Sequence, residues 1–274
     1  MIQTFINTQK EDQKKQHRER NYLIDTLRAL TMISMILYHS CYDYFVVFSK
    51  DPSWITKPGS FIWQQSICTS FILISGIVWP LGKKNALKRG ISLIILGTLI
   101  TFVTLIFMPD QVIYYGILTF MGIATLLMIP IDKLFSLNFK NGKNKSVPAV
   151  ILYTLICLFL FIFTKHIPNG YIGTRYHALI YLPKSLYCHD ALIPIGFPTP
   201  DFYSADYFPL IPWIFIYTLG YILSEPILKN KSITGIGKKK IPFLSQLGTK
   251  SLLIYILHQP ICFGIVWLIC TCFV

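Results

Sequence analysis

Charged residues are scarce. They make up 14% of the 274 residues, against about a quarter in soluble globular proteins, while 53% of residues are hydrophobic and the mean hydropathy is +0.54. Water is therefore not the main solvent of this chain, and no polar stretch is long enough to make a separate soluble domain. There is no Cys-x-x-Cys pair and no His/Cys cluster at zinc-ligand spacing, so no metal is expected. The seven cysteines are an odd number, and Cys68, Cys157, Cys262, Cys270 and Cys272 lie in apolar stretches as small hydrophobes. Cys41 and Cys188 lie near expected outer loops, where a disulfide between them stays open. An apolar leader is missing too: residues 1–20 are polar and basic and read as a tail. No internal repeat is found, and an odd number of spans does not divide into the equal halves common in transporters.

What is present is a series of apolar runs. A helix needs about 20 apolar residues to cross the hydrocarbon core. On that criterion spans are expected near 22–42, 60–81, 90–108, 111–131, 148–165, 207–225 and 250–272. The expected fold is thus all-α, a polytopic transmembrane helical bundle of about seven spans. Pro109 and Asp110 separate the third and fourth runs, which should form a tight hairpin.

The net charge of +13 reports topology. A nucleic-acid partner would need a basic patch interleaved with exposed aromatics, and the basic residues fall instead in short blocks between apolar runs. With the N-terminus cytoplasmic, 19 of the 25 Lys and Arg lie on inner segments, five on outer ones, and Arg28 within a span. The longest outer segment, 166–206, is rich in Pro and Tyr and carries Arg175, His177, Asp190 and Asp206. Loops of this length are commonly functional.

The first span carries the chemistry. Arg28 and His39 are eleven residues apart, so in a helix they lie within about 20° of azimuth and about 16 Å apart along the axis. His39 and Asp43 are four apart and share that face, where the carboxylate could fix the imidazole's tautomer. Asp25 and Arg28 can pair near the inner surface. Ionisable groups within a span are costly and normally face protein or water. Against this, Arg28 could snorkel to the surface, His39 could simply bond a neighbour, and Asp43 could be an ordinary helix-end residue. In the last span His258 stands in Tyr255-Ile-Leu-His258-Gln259-Pro260, where Pro260 frees a carbonyl a turn earlier; packing and function are both open for it. Ser75-Gly76 permits a close backbone approach, with helix packing the plainer cause.

These residues also carry a resemblance. The stretches Arg20 to Asp43, Phe71 to Gly76, Gly82 to Gly90, Tyr115 to Leu118, Asp206 to Trp213 and Tyr255 to Pro260 resemble, in order, the heparan-alpha-glucosaminide N-acetyltransferase catalytic-domain family in its short bacterial form, within the transmembrane acyltransferases. The Arg28-x10-His39 spacing is also similar to that of membrane enzymes that O-acetylate surface polysaccharides. Ala29 stands where the family usually has Gly.

The resemblance implies one transmembrane acyltransferase-like domain over 21–274, in a cell membrane, moving an acyl group from cytosolic acetyl-CoA to a sugar hydroxyl or amine on the outer side. Arg28, Lys83, Lys84, Lys88 and Arg89 would form a basic inner mouth for the anionic end of CoA. His39 would act as general base or acyl carrier, with Asp43 and His258 beside it. Arg175, His177, Asp190 and Asp206 are the candidates for acceptor contacts. Membrane lipids are the expected surroundings, and a homo-oligomer is left open. The rival reading is a multi-pass permease or exporter of a small molecule or lipid-linked glycan, in which the same Arg and His line a path.

Overall fold

The computed structural model describes residues 22–48, 50–138, 147–175, 177–229 and 242–272. The expected tail 1–20 and the inner lysines Lys140, Lys143, Lys145, Lys231, Lys238, Lys239 and Lys240 lie outside the described residues. Seven long helices occur among those described: α1 (Tyr22–Tyr42), α2 (Pro58–Val78), α3 (Ala86–Phe107), α4 (Ile117–Asn138), α5 (Val147–Thr164), α6 (Leu210–Lys229) and, after the short α7 (Pro242–Thr249), α8 (Ser251–Cys272). Proline marks several ends. Pro58 opens α2, where its missing N–H leaves no bond unmade, and α3 stops two residues before Pro109.

Five segments among the described residues are long and apolar enough to cross a membrane: Pro58–Phe107, Ile117–Phe135, Val147–Asn169, Leu210–Leu228 and Ser251–Cys272. The first, of 50 residues, is itself α2 and α3 joined by a 3₁₀ turn at Trp79–Asn85. α1, which carries Asp25, Arg28 and His39, is not among the five.

Some boundaries differ from expectation. The fourth helix starts at Ile117 and not at 111, because residues 112–116 are held by a distant strand of chain: Ala205 N–H donates to the Val112 carbonyl at 2.9 Å and Phe208 N–H to the Tyr115 carbonyl at 3.0 Å. Tyr115 sits at φ 53, a left-handed conformation that ends any helical run. The fold is also not wholly α. Segment 166–206 contains an antiparallel hairpin, β1 (Tyr171–Gly173) and β2 (Ala178–Tyr181), followed by 3₁₀ turns.

The chain divides into two compact units, Met1–Phe71 with Pro226–Val274, and Ile72–Glu225. In the first, α7 and α8 both pack on α1. Gly248 of α7 lies against the backbone of Asp25, too close for any side chain to intervene. An apolar cluster of Met32, Met35, Tyr38 and Ile67 is covered by Trp54, Trp63 and Tyr255, and the Trp63 indole donates to Ser34 at 2.8 Å.

In the second unit α3 and α4 pair as the expected hairpin. Small residues let them approach: Gly90 meets Gly122, and Gly97 meets Thr119. Gly76 likewise abuts the Tyr217 carbonyl and Gly220 of α6, so helix packing accounts for the Ser75-Gly76 pair. A Cβ on Gly76 would overlap that carbonyl, which belongs to rigid helix backbone. Gly76→Ala should therefore cost about 1–3 kcal/mol through forced separation of α2 and α6. Thermal unfolding of the detergent-solubilised variant checks this, and an unchanged midpoint would contradict the packing described.

Candidate active site

In the first unit, His39 occupies the last turn of α1, after which the helix widens into a π-helical turn at Asp43–Val47. His258 lies on α8, 7% exposed. The two imidazole rings meet edge to face, with centroids 4.8 Å apart. His258 Nδ1 is 2.6 Å from the Tyr255 carbonyl oxygen. A carbonyl only accepts, so Nδ1 carries the hydrogen and Nε2 of the neutral ring holds a lone pair. That Nε2 is buried without a protein hydrogen-bond partner, and so is Nδ1 of His39. Two histidine ring nitrogens thus stand unengaged in an apolar bundle, where unpaired buried polar atoms are uncommon.

Asp43 is fully buried, and its Oδ1 accepts from Gln259 Nε2 at 3.1 Å. Among the described residues no hydrogen bond joins Asp43 to His39. Four residues apart, the two share a face in a regular α-helix, whereas the chain turns π-helical at Asp43 and the carboxylate engages α8 instead. Arg28 is half-buried on α1, and Asp25 is buried near the packed end of α7.

The second unit holds the basic 3₁₀ turn and the start of α3. Lys83 forms an ion pair with Asp132, which also accepts from the Tyr221 hydroxyl at 2.7 Å. Asp132 was not anticipated, although an aspartate following an apolar run and Pro130 was a visible signal. Lys84 and Lys88 are exposed, and the Arg89 guanidinium folds over Gly82, whose missing side chain makes the room.

Of the four acceptor candidates, Arg175 and His177 share the exposed turn between β1 and β2, and Asp190 is exposed at the start of a 3₁₀ turn. None of the four lines the apolar recess formed by Tyr115, Phe120, Pro194 and Phe208. Asp206 is different. Its carboxylate accepts from Ile117 N–H at 3.4 Å at the N-terminus of α4, where a helix favours negative charge. It thereby joins two of the stretches that carry the family resemblance. Every cysteine is a free thiol, including Cys41 and Cys188.

Several apolar helices, with His39 and the buried His258 ring against ring, define a multi-pass membrane protein. The family model described as heparan-alpha-glucosaminide N-acetyltransferase, catalytic, matches residues 20–260, and the chain belongs to this family, one of membrane acetyltransferases. Neither the curated proteins nor the solved structures contain a match.

Burial pushes the Asp206 carboxyl up to about 6, with the Ile117 N–H bond opposing the shift. In the unfolded chain an aspartate titrates near about 3.9. The folded state therefore holds this proton more tightly, so the associated stability is complete below about pH 4 and is lost as pH rises through about 6. Asp206→Asn should flatten that part of the pH dependence of the unfolding midpoint. Parallel profiles for the two proteins would exclude it.

Proposed function

We propose that this protein transfers an acyl group, most simply acetyl, from acetyl-CoA to a sugar hydroxyl or amine, with His39 as the residue that handles the proton. The observation that carries this reading is the pair of unengaged ring nitrogens on His39 and His258. A general base needs a lone pair within hydrogen-bond reach of the proton it takes, and an apolar wall keeps water from competing for the acyl group. Family membership supports acetyl transfer over the permease reading.

In the direct version, the acceptor oxygen or nitrogen attacks the thioester carbonyl and its proton passes to the His39 imidazole. The carbon–sulfur bond then breaks, and the thiolate leaves as free CoA thiol after taking a proton. In the covalent version the imidazole nitrogen attacks the thioester carbonyl and expels CoA thiolate, and the acceptor then displaces the imidazole, giving up its proton to a neighbouring base. His258, with Nδ1 fixed by the Tyr255 carbonyl and its ring centre 4.8 Å from that of His39, would accept or return a proton there. Asp43 acts at one remove: through Gln259 it ties α8 to the end of α1 and so sets the separation of the two rings.

The donor's anionic nucleotide end calls for cations. Lys84 and Lys88 are exposed, while Lys83 is held by Asp132. Arg89 follows Lys88 at the start of α3, and Arg28 on α1 of the first unit is a separate candidate. All seven long helices would cross the bilayer, with the N-terminus cytoplasmic, a reading supported by the excess of Lys and Arg on the segments this puts inside. Among the outer-loop candidates, His177 and Asp190 are exposed to an acceptor, and Asp206 stands at the N-terminus of α4.

Replacing His39 by Ala should lower transfer from labelled acetyl-CoA by about 10²–10⁴-fold, the usual contribution of a general acid–base group, with the unfolding midpoint close to the parent's. Full activity in H39A would remove the histidine from the mechanism.

A further inference from the structure

We propose that the end of α5 and the β1–β2 hairpin form a binding site for the headgroup of an anionic phospholipid, with the hairpin lying in the bilayer interface. Three observations converge on it.

The first is the surface of α5. Ile151, Leu152, Leu155, Phe159 and Ile162 are all half exposed or more, which in a membrane protein is a face turned to lipid. The segment it begins, Val147–Asn169, is among the most apolar in the chain.

The second is the group of basic residues where that helix ends. Lys165, His166 and Arg175 are close enough for their charges to act on one another. Their positions are fixed locally. Lys165 Nζ lies 5.6 Å from the centre of the Phe161 ring, and His166 stacks flat on Tyr171 of β1 at 5.0 Å. Asn169 Nδ2 approaches His166 Nδ1 at 3.3 Å. Gly170, at φ 91, turns the chain into the hairpin whose far end presents Arg175. Like charges repel, and a phosphate set between them would relieve that repulsion with charge-assisted bonds from Arg and Lys.

The third is the hairpin itself. Leu179, Ile180 and Tyr181 of β2 are 62%, 59% and 79% exposed, so the strand has no buried face. Alternate residues of a strand point to opposite sides, and water on both sides of such a strand would be unfavourable. An aromatic and two aliphatics beside basic groups are the composition that settles at headgroup depth. The apolar strand would rest among the upper acyl chains while Lys165, Arg175 and, when protonated, His166 face the phosphate.

The test uses the full chain, delipidated in neutral detergent and titrated with phosphatidylglycerol or phosphatidylcholine, with bound lipid counted by native mass spectrometry. The parent should hold the anionic lipid about tenfold more tightly or better. The K165Q/R175Q protein should lose that preference, and L179S/Y181S should bind both lipids more weakly while keeping the preference. R175Q alone changes an exposed turn residue and should show a partial loss should the double variant fail to fold. Inorganic phosphate or glycerol phosphate at the same concentration should not displace the lipid. Equal retention of the two lipids, an unchanged preference in R175Q, or displacement by the free anions would each overturn the proposal, the last by showing a soluble-anion site.

Discussion

Asp43 has no water to turn to. A fully buried carboxylate between apolar helices must find a donor in the protein, because leaving a buried polar group unpaired costs about 1–3 kcal/mol and more for a charged one. Gln259 supplies that donor from α8, and the bond between them sets the facing of the two helices. Beside that contact, the rings of His39 and His258, four residues before Asp43 and one before Gln259, meet as well. The pairing is incomplete: Asp43 Oδ2 and Gln259 Oε1 are buried without a partner, as are the two ring nitrogens beside them. A site that leaves several polar atoms unengaged in an apolar setting bears a cost to stability, and a reacting group is what would use them.

The second unit obeys the same constraint with different residues. Asp132 is answered by Lys83 and Tyr221, the Trp79 indole by the Thr125 carbonyl, and the Thr125 hydroxyl by Tyr217. Each bond joins residues far apart in sequence, so the polar groups in these helices serve as registration points while glycines set the spacing. The pairing of Lys83 with Asp132 also has a consequence for ligand binding: any anion that recruits Lys83 must compete with a buried carboxylate, whereas Lys84 and Lys88 are exposed.

The long helices were legible in the sequence because each is an apolar run with a proline or a basic block at its edge. So was the shared face of Arg28 and His39, since it depends only on helical geometry. The partner of Asp43 was not. Gln259 lies 216 positions away, and spacing arguments reach only neighbours on the same helix. The π-helical turn that carries Asp43 has no sequence signature of its own. α7 and the hairpin were missed for a related reason: both are shorter than the windows over which apolar periodicity speaks, and both are fixed by what they pack on. Residues 112–116 illustrate the override most simply, an apolar stretch of α-helical length pulled out of helix by bonds to Ala205 and Phe208.

Family membership sets the class of chemistry, and the site proposed for it is the His39–His258 pair, so the central claim is that acyl-CoA is consumed. The direct measurement is release of free CoA thiol when the purified parent protein is given acetyl-CoA and an aminosugar or glycan acceptor. The account predicts thiol release that depends on the acceptor, with the acetyl group recovered on it in equal amount. No thiol release with any such acceptor, alongside movement of an unmodified solute across a reconstituted membrane, would contradict it.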